Sequence, residues 1–393
     1  MGFLFALGIC LVVGAALSER ARRTVLSVSA LIFVAGTLLG RGLLDWVSLQ
    51  PGDQVLGPLA ELALITILFT DGSKLETKRA VRRWRLPVRA LVIGLPMTGL
   101  IIGALAHELV HLPWTDSFLL GAVLSPTDPV LSEAIIGHAQ VPSRLRDFLN
   151  VESGLNDGLA LPFVVVLLSL LSQEQATVLG LSRQIGFGVG LGVLTPLAAV
   201  WLWNRRSFGV AERDWSIAPI AIVLVAVPAA LLLDVNPFLA SFTAGVTLGV
   251  VRPAYVEAFR PIGEGLSQLV KLGALFAFGL VFSHLIPETI TWRSVVFAVA
   301  VLIVVRPVAL LVAFAGHRLD PVLFATASWF GPKGFASVTF SLLVLQRGID
   351  NGERIFSYAS QVVGLSILAH SSTDVVIARK LAAREQRAQP SAD

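Results

Sequence analysis

Charge is what this sequence has least of. Only 14% of its 393 residues are Asp, Glu, Lys or Arg, against roughly 25% in a soluble globular domain. Cysteine is rarer still: Cys10 is the single one and it lies in an apolar run. That excludes a disulfide framework and a thiolate metal cluster and gives no sign of redox chemistry. No polar stretch is long enough for a soluble domain, and residues 379–393 form a short charged tail. The net charge of +4 could suggest a nucleic acid, but the basic residues are scattered between apolar stretches rather than gathered on one face. Lipid is the expected surrounding, and nucleic acid is not an expected partner.

Apolar residues make up 55% of the chain, in stretches of about 17 to 25 residues, each able to cross about 30 Å of hydrocarbon as a helix. The fold class expected is an all-α polytopic membrane protein with about 13 spans, at 2–17, 24–44, 55–71, 87–110, 117–137, 147–171, 183–203, 215–233, 237–251, 264–286, 293–315, 320–346 and 354–378. Lys and Arg should alternate between rich and poor loops if these are right. Loops after odd-numbered spans, with the tail, hold 22 of the basic residues and loops after even-numbered spans hold 5. This predicts a multi-pass protein of the cell membrane with its amino terminus outside and its carboxyl terminus cytoplasmic. The first span lacks a basic leading region and a small-residue cleavage site, so it is expected to be retained.

An odd count suits a single transmembrane unit, 1–378, of two six-span inverted repeats, 1–182 and 204–378, around a linker span at 183–203. The fifth span of the first half is interrupted by SPTDP, Ser125 to Pro129, and the fifth of the second half by GPKG, Gly331 to Gly334. Matching interruptions in two halves point to a transport site near the bilayer midplane.

An ionisable group at that depth costs from about 2.5 kcal/mol upward, so each should face a partner, a cavity or a pathway. Pro126 and Pro129 lack backbone N–H groups and disfavour helical geometry in the residues before them, which frees carbonyls near Ser125 and Thr127. Those carbonyls, the Thr127 hydroxyl and the Asp128 carboxylate are hard oxygen donors suited to an alkali cation. The plainer alternative is a proline kink whose Asp caps a half-helix. In the sixth span Ser153, Asn156 and Asp157 share a helix face, with Glu152 at its edge. Gly154 and Gly158 are expected to let the fifth span approach this polar stripe, which could also be a helix-packing seam. Arg306, deep in VLIVVRPVALL, calls for a buried acidic partner such as Glu152. Lys333, at the second break, is expected to balance helix ends and carboxylates.

The remaining polar groups carry weaker signals. Glu61 and Asp71 read as cap or interface residues, Asp234 and Asn236 as loop residues. His107, His111, His138, His284 and His317 fall at span ends, and His370 with Asp374 stands where a gate could be.

SPTDPV at 125–130, ESGLNDG at 152–158, the intramembrane Arg306 and the break at 331–334 together resemble the monovalent cation/proton antiporter family 1, the Na+/H+ exchanger type. The resemblance implies crossed discontinuous helices in the core, at the fifth and twelfth spans, with an interleaved dimerisation domain and so a homodimer. It carries cation and proton binding to Thr127, Asp128, Ser153 and Asp157. Asn156 falls where electrogenic relatives have a second Asp, and Glu152 with Arg306 becomes a structural ion pair. Where the family often reads G-L-R-G, this chain reads Gly331-Pro332-Lys333-Gly334, which keeps the charge and loses the guanidinium fork.

The implied function is antiport, with no enzyme activity and no cofactor. Na+, or Li+ or K+, would exchange for protons by alternating access as the two compete for Asp157. With Asn at 156 a single group titrates at that pair, which predicts one cation per proton and no net charge moved. The rivals are a K+/H+ antiporter of the same fold, a cation channel, and an intramembrane aspartyl protease using the two buried Asp residues. A channel usually needs a filter repeated around an axis, and a protease leaves the basic residues and the second break unexplained.

Overall fold

The computed structural model describes residues 2–21, 27–50, 52–74, 85–128, 143–172, 177–205, 209–317 and 320–388. Pro129 to Gly137 of the expected fifth span, and His138, lie outside them. Among the described residues there is no strand. Helices α1 (Gly2–Ala21), α2 (Val28–Leu39) and α3 (Leu56–Ser73) lead to α4, whose parts Arg85–Arg89 and Leu95–Val110 are joined by a π-helical turn, Ala90–Gly94. Then come α5 (Trp114–Leu124), α6 (Ser143–Leu171), α7 (Val178–Trp203), α8 (Ala218–Leu232), α9 (Pro237–Val251) and α10 (Pro253–Thr289). In α11 a second π-helical turn, Val301–Val305, joins Trp292–Ala300 to Arg306–Ala313; α12 (Pro321–Trp329), α13 (Phe335–Gln346) and α14 (Gly352–Ala388) complete the chain.

The two π-turns have the same local cause. Each is followed, after one residue, by a proline: Leu95-Pro96 in α4 and Arg306-Pro307 in α11. A proline inside a helix has no N–H to donate and its ring crowds the carbonyl a turn earlier, which widens that turn. The two widened helices lie side by side, with Arg89 Nε donating to the Ala313 carbonyl at 2.6 Å.

Six helices are long and apolar enough to cross a bilayer by length and composition, and shorter apolar helices, among them α2, α5, α8, α9 and α13, accompany them. This is a multi-pass membrane architecture. Two helices run well past their expected ends. α10 begins at Pro253, one residue after α9 stops, rather than near 264, and α14 continues through the charged tail to Ala388 rather than ending at 378. Hydropathy registers the apolar part of a helix and not its polar extension, and Ala, Glu, Gln and Arg in these extensions favour helix as strongly as apolar residues do.

Close approaches of small residues set the helix spacing around the first break. A Cβ built on Gly121 of α5 would stand 2.1 Å from the Gly99 carbonyl oxygen of α4, so the two backbones touch just before α5 ends. Gly121→Val is expected to lose about 1–3 kcal/mol of stability through overpacking, measured as a lower unfolding temperature in detergent. Gly154→Ala, where a Cβ meets nothing within 4 Å, should leave it unchanged.

Candidate functional site

The two interruptions meet. α5 stops at Leu124 and α12 at Trp329, and the irregular stretches 125–128 and 330–334 lie against each other, with the Asp128 N–H donating to the Pro332 carbonyl at 2.9 Å. Each break then receives a charge from the other. Asp128 Oδ2 accepts from the Phe335 N–H at 2.8 Å, which puts a carboxylate on the amino end of α13, where orphan N–H groups and the helix dipole favour an anion. Lys333 Nζ donates to the carbonyls of Ser125 and Pro126 at 3.2 and 3.3 Å, which puts an ammonium on the carboxyl end of α5, where the dipole favours a cation.

The glycines of GPKG follow from this meeting. A Cβ on Gly334 would stand 2.3 Å from Asp128 Oδ2, and one on Gly331 would stand 2.1 Å from the Arg306 side chain.

α6 supplies the polar stripe. Asn156 Nδ2 donates to the Thr127 carbonyl at 2.8 Å and its hydroxyl oxygen at 2.7 Å, which ties α6 to the first break. Asn156 Oδ1 and Asp157 Oδ1 are buried and accept no hydrogen bond among the described residues. Two unmet oxygens on adjacent residues, beside a carbonyl and a hydroxyl held in place, form a donor set of the hard-oxygen kind that alkali cations take. Ser153, on the same face one turn earlier, is also buried. The close approach expected from the glycines of this helix takes a different form: a Cβ on Gly158 would stand 2.4–2.5 Å from the Phe242 ring of α9, and one on Gly154 would touch nothing. Gly158 therefore admits an aromatic ring from α9, not the described part of the fifth span.

Glu152 and Arg306 form a bidentate pair, with Arg306 Nη1 to Oε1 at 2.8 Å and Nη2 to Oε2 at 2.7 Å, while Arg306 Nε donates to the Ala327 carbonyl at 2.8 Å. The pair thus joins α6, α11 and the end of α12. Behind the second break stands α14. Ser366 Oγ accepts from the Lys333 N–H at 2.7 Å, and His370 reaches the Trp329 carbonyl through Nε2 at 2.9 Å. His370 is thereby a buried residue holding the Trp329 edge of the break, as Ser366 holds the Lys333 edge. The side chain of Asp374 lies outside the described residues.

Sequence reasoning passed over one pair. Asp71, read as a cap or interface residue, is buried in the last turn of α3, and Lys271, which no motif had singled out, is buried in α10; Lys271 Nζ stands 4.0 Å from Asp71 Oδ2. Lys271 also lies 5.5 Å from the centre of the Phe335 ring, at the helix end that Asp128 caps. The signal was available, because a lysine inside LVKLGALFAFGLVF is as costly as Arg306 and equally in need of an anion.

The Glu152–Arg306 pair gives a direct test. Glu152→Gln leaves a buried guanidinium without its anion and should cost about 3–5 kcal/mol, whereas the double variant Glu152→Leu with Arg306→Met should recover most of it. Thermal unfolding in detergent distinguishes them, and an unaffected Glu152→Gln would show that the pair does not hold α6 to α11.

Comparison with known proteins shows the family and the fold. Residues 7–379 match the family described as sodium/hydrogen exchanger, transmembrane. The chain is 25% identical over 330 residues to the K(+)/H(+) antiporter NhaP2 of Shewanella sp. (strain MR-4), covering 82% of this chain and 57% of that protein. It is 28% identical over 314 residues to the Na(+)/H(+) antiporter NhaG of Bacillus atrophaeus, covering 75% of this chain and 58% of that protein. It thus spans little more than half the length of these curated relatives. The solved structure of the sodium proton antiporter MjNhaP1 from Methanocaldococcus jannaschii at pH 8 superposes with a TM-score of 0.80 at 19% identity, covering 97% of this chain and all of that one, which shows the same fold. A match over nearly the whole length, with the two breaks and the polar stripe in place, makes this chain a member of the sodium/hydrogen exchanger family.

Proposed function

We propose that this chain is a secondary active antiporter that exchanges a monovalent alkali cation for a proton at Asp157. The observation that carries the reading is the pair of buried, unpartnered oxygens, Asp157 Oδ1 and Asn156 Oδ1, beside Thr127 at a break in a membrane helix. A bare carboxylate at that depth is unfavourable, so it takes up either a proton or a cation. If the loaded site crosses between the two faces and the bare one does not, exchange follows. Thr127, Ser153, Asn156 and Asp128 are the remaining proposed ligands. Asp128 has a second duty at the α13 amino end, which leaves Asp157 as the group that exchanges its proton.

Asn156 carries no charge and spends its amide on Thr127, so one titrating group remains at this pair and the exchange is one for one. The cation is Na+ in the leading reading, with Li+ accepted. The second reading, K+, is favoured by the names of several relatives, NhaP2 among them. No cofactor is required, and protons and alkali cations are the transported partners.

The wider architecture belongs to the same proposal. Thirteen spans arranged as inverted repeats, 1–182 and 204–378, around α7 are supported by two correspondences: the breaks fall in the fifth helix of each half, and the proline-linked π-turns fall in the fourth. The contact of the two irregular stretches supports crossed discontinuous helices in a core domain. A homodimer, an outside amino terminus and a cytoplasmic carboxyl terminus rest on the family resemblance and on the distribution of Lys and Arg.

In proteoliposomes loaded with a pH dye, addition of Na+, Li+ or K+ in turn should dissipate an imposed proton gradient, and Asp157→Asn should abolish the response. Unchanged exchange in that variant would sink the assignment. The rate should also ignore an imposed membrane potential; a rate that follows the potential would contradict the one-for-one count.

A further inference from the structure

Lys271 is the buried cation that the exchange reading does not use. Its side chain is 9% exposed, yet it is held differently from Arg306. Arg306 is locked by two hydrogen-bonded carboxylate contacts of 2.7 and 2.8 Å, whereas Lys271 Nζ stands 4.0 Å from Asp71 Oδ2, beyond hydrogen-bond reach. Asp71 is itself divided, since its Oδ1 is 3.7 Å from Lys74 Nζ, and the half-exposed Lys74 is also 3.5 Å from Glu264.

Lys271 stands 4.0 Å from Asp71 on α3, and the charges of Asp128 at the first break and Asp157 on α6 act on it as well. The same set acts on Asp157, as Asp71, Asp128 and Lys271 are the charges it feels. The Phe335 ring lies 5.5 Å from Nζ, and the N–H of the same residue binds Asp128, which places Lys271 beside the first break. An ammonium on a flexible four-carbon stem, loosely held by a shared carboxylate and beside the residue that binds Asp128, has somewhere to go.

We infer that Lys271 is a tethered cation that competes with the transported alkali cation for the carboxylates of the site, and that Asp71 holds it back. The inference rests on the exchange reading above. When Asp157 is bare, Lys271 supplies the compensating charge. When an alkali cation binds there, the ammonium is repelled toward Asp71. The affinity for the cation is then set by a residue that touches it in neither state, and by the balance of Asp71 between its two lysines.

The test is cation titration of the purified full chain, following tryptophan fluorescence or unfolding temperature with NaCl and KCl against choline chloride, paired with exchange in proteoliposomes. Lys271→Gln removes the competitor and should lower the half-saturating cation concentration about tenfold or more, the size of effect expected when one charge acting on a buried carboxylate is lost. Lys271→Arg should stay near wild type. Asp71→Asn frees the ammonium and should raise the half-saturating concentration. In the double variant the low value of Lys271→Gln should persist, because Asp71 acts through Lys271; a double variant that loses that gain would mean Asp71 binds the cation itself and would overturn the inference.

A Lys271→Gln protein that unfolds more easily with unchanged half-saturation would reduce the pair to a structural one and also overturn it. If Asp157→Asn abolishes exchange while Lys271→Gln leaves half-saturation unmoved, the competition fails and the antiport reading stands. If exchange survives Asp157→Asn, it is the antiport reading that fails.

Discussion

Everything at the site depends on what happens to backbone groups that a break in a membrane helix sets free. In hydrocarbon each unpaired N–H or C=O costs several kcal/mol because no water replaces the lost bond. This protein meets that constraint twice with one contact between two irregular stretches. The amino end of α13 is satisfied by Asp128 from the other break, and the carboxyl end of α5 by Lys333 from the other break. The two charged residues that looked misplaced in apolar segments are therefore conditions for the segments to be interrupted at all.

The neighbouring interactions serve the same arrangement. Glu152 and Arg306 tie α6 and α11 to the end of α12, and Ser366 and His370 hold both edges of the second break from α14. With the breaks fixed this way, the Asn156 amide can be spent on Thr127, and α6 is left with two unmatched oxygens, one from Asn156 and one from Asp157. The candidate site is thus made of acceptors on α6 that the packing around the breaks leaves unmatched.

Much of this was legible in the sequence because prolines and charges are costly in lipid and so announce themselves. Pro126 and Pro129 marked the first interruption and Gly331-Pro332-Lys333-Gly334 the second, the spacing of Ser153, Asn156 and Asp157 marked one helix face, and Arg306 needed an anion that Glu152 supplies. The exchange of caps was not legible, since it joins residues 207 and 208 positions apart and depends on which helix end each break presents. Asp71 and Lys271 were missed for a related reason. Asp71 read as a cap in its own segment, Lys271 signalled the need for an anion without naming one, and only the packing of α3 against α10 puts them together. The polar extensions of α10 and α14 escaped because a hydropathy window sees a membrane and not a helix.

The exchange of caps between the two breaks also has a direction. An ion pair is indifferent to which partner carries which sign, so a charge swap can restore it. Here Asp128 faces N–H donors and Lys333 faces carbonyl oxygens, and the polarity of those helix ends is fixed by the direction in which the chain was made. Exchanging the two residues would preserve the charge count and set an ammonium against donors and a carboxylate against acceptors. The order in which acid and base occur along this chain is therefore imposed by backbone polarity, and a chain with both breaks but the opposite order could not close them.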